Sequence, residues 1–231
     1  MKNILKETAK DELSGRTKYV FQFVQKEDLK GKKILDIGCG FGWFEYNALD
    51  MGIDHIWGIE LSEKDLATAK MGVKSKKVTF GKGSAISLPF EDDFFDCVVS
   101  WDVIEHIPPN TEMQMLKEIS RVLKRGGAVY LSTPYRSFLG TVLDPAWWLI
   151  KHRHYTKQKI RSIIETNTRL KLTEIQVRGG YWDILNTLNM YIAKWIFRRQ
   201  HFCRNFFRKK VNQEFTSSKG INTLFVKAKK F

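Results

Sequence analysis

The chain has 231 residues, 43% of them hydrophobic, with a mean hydropathy of -0.33, which suits one α/β domain with an elaboration and excludes a disordered, fibrous or repeat protein. The net charge of +14 is uneven: residues 1–150 carry 20 Lys and Arg against 21 Asp and Glu, while residues 151–231 carry 19 against 4. A basic last third suits anionic lipid headgroups or nucleic acid phosphates, and charge alone does not choose between them. Three separate cysteines, Cys39, Cys97 and Cys203, offer no zinc spacing and imply a reduced, cytoplasmic setting, and residues 1–7 lack the apolar core of a secretory signal.

Residues 3–13 and 16–27 read as two helices, the second with Tyr19, Val20, Phe23 and Val24 at helical spacing. Such helices either cover a cleft or pack against the sheet. The rest of the chain is organised around residues 32–42. Ile34, Leu35 and Ile37 form a strand buried on both faces, and Gly38, Gly40 and Gly42 permit a sharp turn into a helix whose free N–H groups face the carboxyl edge of the sheet. A dinucleotide fingerprint would need glycine at position 43, where Trp43 stands. Asp36 closes the strand, where a carboxylate suits an ammonium group, and Cys39 lies within the turn. A second strand, 55–60, ends on Glu60, suited to both hydroxyls of a ribose, with Leu61 beside it.

Ser62 and Asp65 resemble a capping box for a helix over 63–74, and 78–81 is a third strand leading to the turn Gly83, Ser84 and Ala85. Residues 94–101 form a fourth strand whose final Trp101 lies either against a ligand or in the core. Asp102, Glu105 and His106 come next at i, i+3 and i+4 and share one face if the segment turns helically. A helix over 110–124 turns Met113, Leu116, Ile119 and Leu123 inward and ends at Gly126 and Gly127; residues 128–132 are a fifth strand. This alternation predicts an α/β fold with a parallel, doubly wound sheet.

Taken in order, Asp36 with its three alternate glycines, Glu60 and the turn at Ser84 and Ala85 resemble the motifs of the class I S-adenosylmethionine-dependent methyltransferases over residues 30–133. The resemblance implies a mostly parallel, seven-stranded Rossmann-like methyltransferase sheet. It also implies S-adenosylmethionine held by Asp36, Gly38, Cys39, Gly40, Gly42, Glu60, Leu61, Ser84, Ala85 and Trp101. Ser84 departs from the acidic residue common in the family, and a hydroxyl accepts a weaker hydrogen bond than a carboxylate. The run D-V-I-E-H at 102–106, succeeded by an apolar insertion, is further similar to the ubiquinone-biosynthesis O-methyltransferases. That similarity implies a divalent cation, Mg2+ or Mn2+, at Asp102, Glu105 and His106. An oxygen acceptor must lose a proton, for which His106 is the first candidate, with His154, Tyr135 and His152 behind it.

Residues 134–155 hold Phe138, Trp147, Trp148 and Ile150 beside Lys151 and Arg153, which suits either a bilayer interface or a lid over the pocket. Thr156 caps a helix over 157–166, and 170–177 is a sixth strand. Tyr181, Leu185, Leu188, Ile192, Trp195, Phe202 and Phe206 then form an apolar stripe on one helix with a basic end at Arg198, Arg199, Arg204, Arg208, Lys209 and Lys210. Such a helix lies on a membrane, packs on its own domain or dimerises. Residues 223–229 supply the seventh strand. The chain thus divides into N-terminal helices (1–30), a core (31–178) with an apolar insertion (134–155), an amphipathic basic insertion (179–215) and a last strand (216–231). The expected methyl acceptor is lipid-linked or another small molecule, at an anionic membrane surface on its cytoplasmic side; a soluble glycan or metabolite, or nucleic acid, stands as the alternative.

Overall fold

The computed structural model describes residues 8–10, 12–166, 168–199, 202–217 and 219–231, so the expected helix over 3–13 lies largely outside the described residues. The elements run α1 (Gly15–Phe23), β1 (Lys33–Ile37), α2 (Trp43–Ala48), β2 (His55–Glu60), α3 (Glu63–Gly72), β3 (Val78–Lys82), β4 (Phe95–Trp101), α4 (Glu112–Val122) and β5 (Leu123–Pro134). Then come α5 (Phe138–Val142), α6 (Pro145–Ile150), α7 (Lys157–Glu165), β6 (Leu170–Arg178), α8 (Tyr181–Trp195), α9 (Arg204–Thr216) and β7 (Thr223–Lys230). The strands form one seven-stranded sheet of order β3-β2-β1-β4-β5-β7-β6, in which β7 alone runs antiparallel to its neighbours. The order reverses between β1 and β4, which opens a crevice beyond their carboxyl ends.

Both faces of the sheet are covered, which explains why Ile34, Leu35 and Ile37 of β1 are apolar on both faces. Tyr19, Val20 and Phe23 of α1, Phe44 of α2, and Val211 and Phe215 of α9 cover one face, around Tyr130 and Phe225. Met115, Leu116 and Ile119 of α4 with Ile160, Ile163 and Ile164 of α7 cover the other. α1 therefore packs on the sheet, although Arg16 at its start reaches Asp102 beyond β4.

The structure departs from three sequence expectations. Gly126 and Gly127 do not end α4: β5 begins at Leu123, and the register shift between Phe95 and Cys97 absorbs the glycines, Gly126 with φ of 77°. A Cβ on Gly127 would stand 2.7 Å from Leu123 Cδ1, so the bend needs glycine there. The apolar stripe after Tyr181 does not lie on one helix. Arg198 and Cys203 have positive φ (51° and 49°), and the chain turns back so that α9 packs on α8 and on α1. Asn189 closes that hairpin by donating to the Phe202 carbonyl (2.8 Å), and Glu214 of α9 accepts from the N–H groups of Gly180, Trp182 and Asp183 at the start of α8 (3.2, 2.9 and 2.9 Å). Finally, the basic charge is not all superficial. Lys227 and Lys230 are buried and paired with Asp28 (2.8 Å) and Asp93 (2.7 Å).

Candidate functional site

The glycines of the turn after β1 do three different jobs. A Cβ on Gly38 (φ 77°) would meet Val103 Cγ2 at 2.4 Å, so this glycine lets the segment after β4 lie on the turn. A Cβ on Gly42 (φ 84°) would stand 3.1 to 3.2 Å from Val73, Ala69 and Phe80, so this glycine lets the start of α2 pack closely. Gly40 (φ 54°) has nothing within 4 Å of its Cβ position and faces open space. The N–H groups of Gly38 and Cys39 donate to the Ile59 carbonyl (2.8 and 3.0 Å), which fixes the turn against β2.

Three acids surround this turn. Glu60 is held by two N–H donors, Gly40 at 3.2 Å and Ser62 at 2.9 Å. Asp36 is 1% exposed and its Oδ1 lacks a hydrogen-bond partner; burial, then the nearby Glu60, push its pKa well above the carboxylate range. Glu45, in the first turn of α2, is fully enclosed with both oxygens lacking hydrogen bonds, and burial and then Asp36 push it up in the same way. Sequence reading missed Glu45, because an acid in a first helical turn reads as a dipole partner. Its signal was position, on the inward side between Phe44 and Ala48. The Cys39 thiol is buried and also pushed up, by burial first and then by these acids. Leu61 is 63% exposed at the end of β2, and the turn with half-buried Ser84 and buried Ala85 is tied to β2 by the Gly83 N–H donating to the Glu60 carbonyl (3.3 Å). Trp101 packs its ring in the core, 5.7 Å from that of Phe44, with its indole N–H lacking a partner.

Residues 102–107 are not helical, so Asp102, Glu105 and His106 do not share a helix face. Asp102 (φ 54°) turns away: its oxygens are taken by the Ser132 hydroxyl (2.9 Å) and by Arg16 (2.7 Å). The expected cation set therefore does not converge. Glu105 is 3% exposed, accepts from the Thr133 hydroxyl at 3.0 Å, and is pushed well up by burial and then Asp102. The insertion brings His152 instead, its ring stacked on that of His106 with centroids 4.7 Å apart and its Nε2 3.8 Å from Glu105 Oε1. Burial, followed by His152, lowers the His106 pKa to about 4, so this imidazole is neutral at pH 7.

Asp144 Oδ1 caps α6 through the Ala146 N–H (2.9 Å), while Oδ2 lies 2.8 Å from His152 Nδ1 and 2.9 Å from His154 Nε2. Burial opposes ionisation of Asp144, but these two hydrogen bonds outweigh it and hold its pKa well below the usual range. His154 is occupied on its other nitrogen by Thr141 Oγ1 and the Tyr135 carbonyl (3.3 Å each), so it is a prop. Tyr135 packs partly buried against the core and bridges Tyr155. Arg153 secures the insertion by donating to the carbonyls of Ile104, Glu105 and Ile107 (2.7, 3.2 and 2.6 Å) and to Glu112 (2.8 Å). Asp144 was not anticipated, since an Asp before Pro145 reads as a helix cap.

A family model described as a methyltransferase domain matches residues 35–131, the stretch that carries the glycine turn, Glu60 and the segment after β4. Over those residues the chain is similar to the class I S-adenosylmethionine-dependent methyltransferases. Similar proteins include an uncharacterized methyltransferase of Mycobacterium leprae, 36% identical over 110 residues (48% of this chain, 39% of that protein). Phosphoethanolamine N-methyltransferase 2 of Caenorhabditis elegans is 32% identical over 152 residues (64% and 34%), and a ubiquinone biosynthesis O-methyltransferase of Dechloromonas aromatica is 35% identical over 119 (49% and 49%). The chain thus spans between a third and a half of the length of these relatives. An S-adenosylmethionine-dependent methyltransferase from Mesorhizobium loti shares the fold with a TM-score of 0.65 at 16% identity, over 94% of this chain and 98% of that one. The [4+2]-cyclase SpnF does so with a TM-score of 0.66 at 18% identity, over 97% and 85%. For a methyltransferase of this class the residues present fit the donor: Gly40 borders open space, Asp36 has a buried carboxyl oxygen without a partner that suits the amino group, and Glu60, fixed at the strand end by the Gly40 N–H, is an acid of the kind that takes ribose hydroxyls.

Proposed function

We propose that this chain transfers the methyl group of S-adenosylmethionine to an oxygen of a small acceptor presented at an anionic membrane surface, with the mouth of the cleft turned to the lipid. The donor brings an already activated methyl on a sulfonium. The protein's part is therefore to orient and exclude water. Asp36, Gly38, Cys39, Gly40, Gly42, Glu60, Leu61, Ser84 and Ala85 line the donor end, and Trp101 walls it from the core side. His106, neutral at pH 7, stands beyond β4 to accept the acceptor's proton. The names of three relatives, a ubiquinone biosynthesis O-methyltransferase, a demethylmenaquinone methyltransferase and a phosphoethanolamine N-methyltransferase, support a small acceptor. Fold alone would not carry an activity, since a cyclase shares it.

The observation that carries the membrane part is the exposure of large apolar side chains beside the histidines. Phe138, Trp148, Leu149 and Ile150 are 80, 65, 56 and 62% exposed, and Tyr181, Trp195, Ile196 and Phe197 of the second segment are 63, 52, 70 and 57% exposed. Exposed Lys151, Arg198, Arg204 and Lys209 lie among them. No described helix is long and apolar enough to cross a membrane, so apolar insertion plus a polybasic patch would be the two signals of a surface attachment.

The test pairs vesicle sedimentation with incorporation of labelled methyl into lipid, aqueous small-molecule and RNA fractions. Binding to anionic but not neutral vesicles, weakened by salt, with label in the lipid fraction, is the expected outcome. Label only in the aqueous fraction without vesicle binding would make α5 and α6 a lid, and label in RNA would assign the basic surface to nucleic acid.

A further inference from the structure

Three side-chain atoms at the acceptor end of the cleft have no hydrogen-bond partner: Glu105 Oε1, His106 Nε2 and His152 Nε2. One ligand atom from each of Glu105, His106 and His152 lies within 4.8 Å of the other two. A buried polar atom without a partner is destabilising, and three that converge from a loop and an insertion 46 residues apart (the separation of Ile107 and Arg153) point to a shared ligand. Two of the three residues are held from behind. Thr133 engages Glu105 Oε2, and Asp144 engages His152 Nδ1 and is itself fixed by the Ala146 N–H and His154. A carboxylate behind an imidazole is how metal-binding histidines are oriented.

We propose that Glu105, His106 and His152 form a site for a divalent transition-metal ion, with Asp144 as the positioning residue behind His152. Two atoms each about 2.1 Å from one ion are at most about 4.2 Å apart. Glu105 Oε1 and His152 Nε2 are 3.8 Å apart, already inside that limit. Two imidazoles and one carboxylate suit Zn2+, Fe2+ or Co2+ better than Mg2+, which prefers an oxygen shell with several waters. The site differs from the Asp102, Glu105 and His106 set that the family resemblance implies, because Arg16 and Ser132 occupy Asp102. The neighbouring group of Asp144, His152 and His154 is not a second site, since its atoms already bond to one another. A cation at Glu105 would supply Lewis acidity toward an acceptor hydroxyl, and in the metal-bound protein His106 would be a ligand in place of the free base of the metal-free reading. It would also tie the insertion to the core.

The test is titration of the tag-free, chelator-treated full chain with Co2+, read by calorimetry and by visible absorption, with Zn2+ as competitor. One equivalent is expected. His106→Ala and His152→Ala should each weaken binding more than Asp144→Asn, which keeps the helix cap and should cost about 10- to 100-fold. Asp102→Asn should leave affinity unchanged, and thermal melts establish that each variant is folded. No stoichiometric binding, binding indifferent to His152→Ala in folded protein, or Mg2+ binding abolished by Asp102→Asn would each overturn the proposal. No methyl donor or acceptor enters this measurement, so its failure is distinct from failure of the methyl-transfer reading.

Discussion

The first half of the sheet and the two segments added after β5 and β6 treat apolar side chains in opposite ways. Ile34 and Leu35 of β1, Val98 and Val99 of β4 and Tyr130 of β5 are fully enclosed, whereas Phe138, Trp148, Ile150 and Tyr181 of the added helices are mostly exposed. Full burial of one such side chain contributes about 1.5 to 3 kcal/mol, so the added helices leave a large favourable term unrealised within the chain. Charge obeys the same division: the enclosed half gathers unpaired carboxyls around the glycine turn, and the exposed half carries the arginines and lysines. On the proposed reading, one region holds the cationic methyl donor and the other meets an anionic membrane surface.

If that division is right, the largest effects belong to the enclosed half. Gly40→Val should remove both cofactor binding and turnover beyond detection, because its side chain projects into the open cleft. Gly126→Val is the matched control. Gly126 also has positive φ and open space around it, so it carries the same backbone strain away from the cleft and should retain binding by calorimetry. Next in size is His106→Ala, which should lower kcat by about 10²- to 10⁴-fold with cofactor affinity kept. In the parent enzyme the acid limb of the rate profile should fall near pH 4, where His106 titrates, rather than near the usual histidine value. A limb near pH 6.5 would remove His106 as the base.

How legible each half was depends on the range of its interactions. Strand β1, its glycines and Glu60 were readable because backbone turns and buried strands have local signatures, and the family model covers the same stretch. Strand β7 was placed from the seven-stranded pattern that the family resemblance implies, but the burial of Lys227 and Lys230 was not readable, since their partners Asp28 and Asp93 lie in distant loops. The acceptor end failed for the same reason. Spacing placed Asp102 with Glu105 and His106, yet the non-helical segment sends Asp102 to Arg16, and His152 arrives only through the clamp made by Arg153. The stripe after Tyr181 was a true periodicity misread as one helix, because nothing local announces the reversal at Arg198 and Cys203.

The exposed half yields intermediate effects that should spare the fold. Neutralising Arg198, Arg204 and Lys209 together should weaken partitioning onto anionic vesicles by about 100-fold, at about 1 kcal/mol each. Arg208 and Lys210 are poorer choices, since Arg208 pairs with Glu12 and Lys210 lies 5.5 Å over the Trp182 ring. Replacing Trp147 and Trp148 with alanine should release the protein from vesicles while leaving Tm within a few degrees. A large drop in Tm would show instead that these rings belong to the fold.

The smallest effect separates the halves by pH. Glu45 is enclosed without hydrogen bonds, and burial and then Asp36 raise its folded pKa above its unfolded value. For such an acid the unfolded state ionises first as pH rises, so the folded state binds the extra proton and loses relative stability between the unfolded pKa, about 4.3, and the higher folded one. The slope from one group is at most about 1.4 kcal/mol per pH unit. Glu45→Gln removes that titration at nearly constant volume. Denaturant unfolding should therefore find the variant more stable than the parent at pH 7 and the advantage gone by pH 4, with no change in vesicle binding. If the two proteins show the same pH dependence, the Glu45 carboxyl is compensated in the folded state, and the acid cluster around Gly40 is not the strained, ligand-ready half that the contrast between the two regions requires.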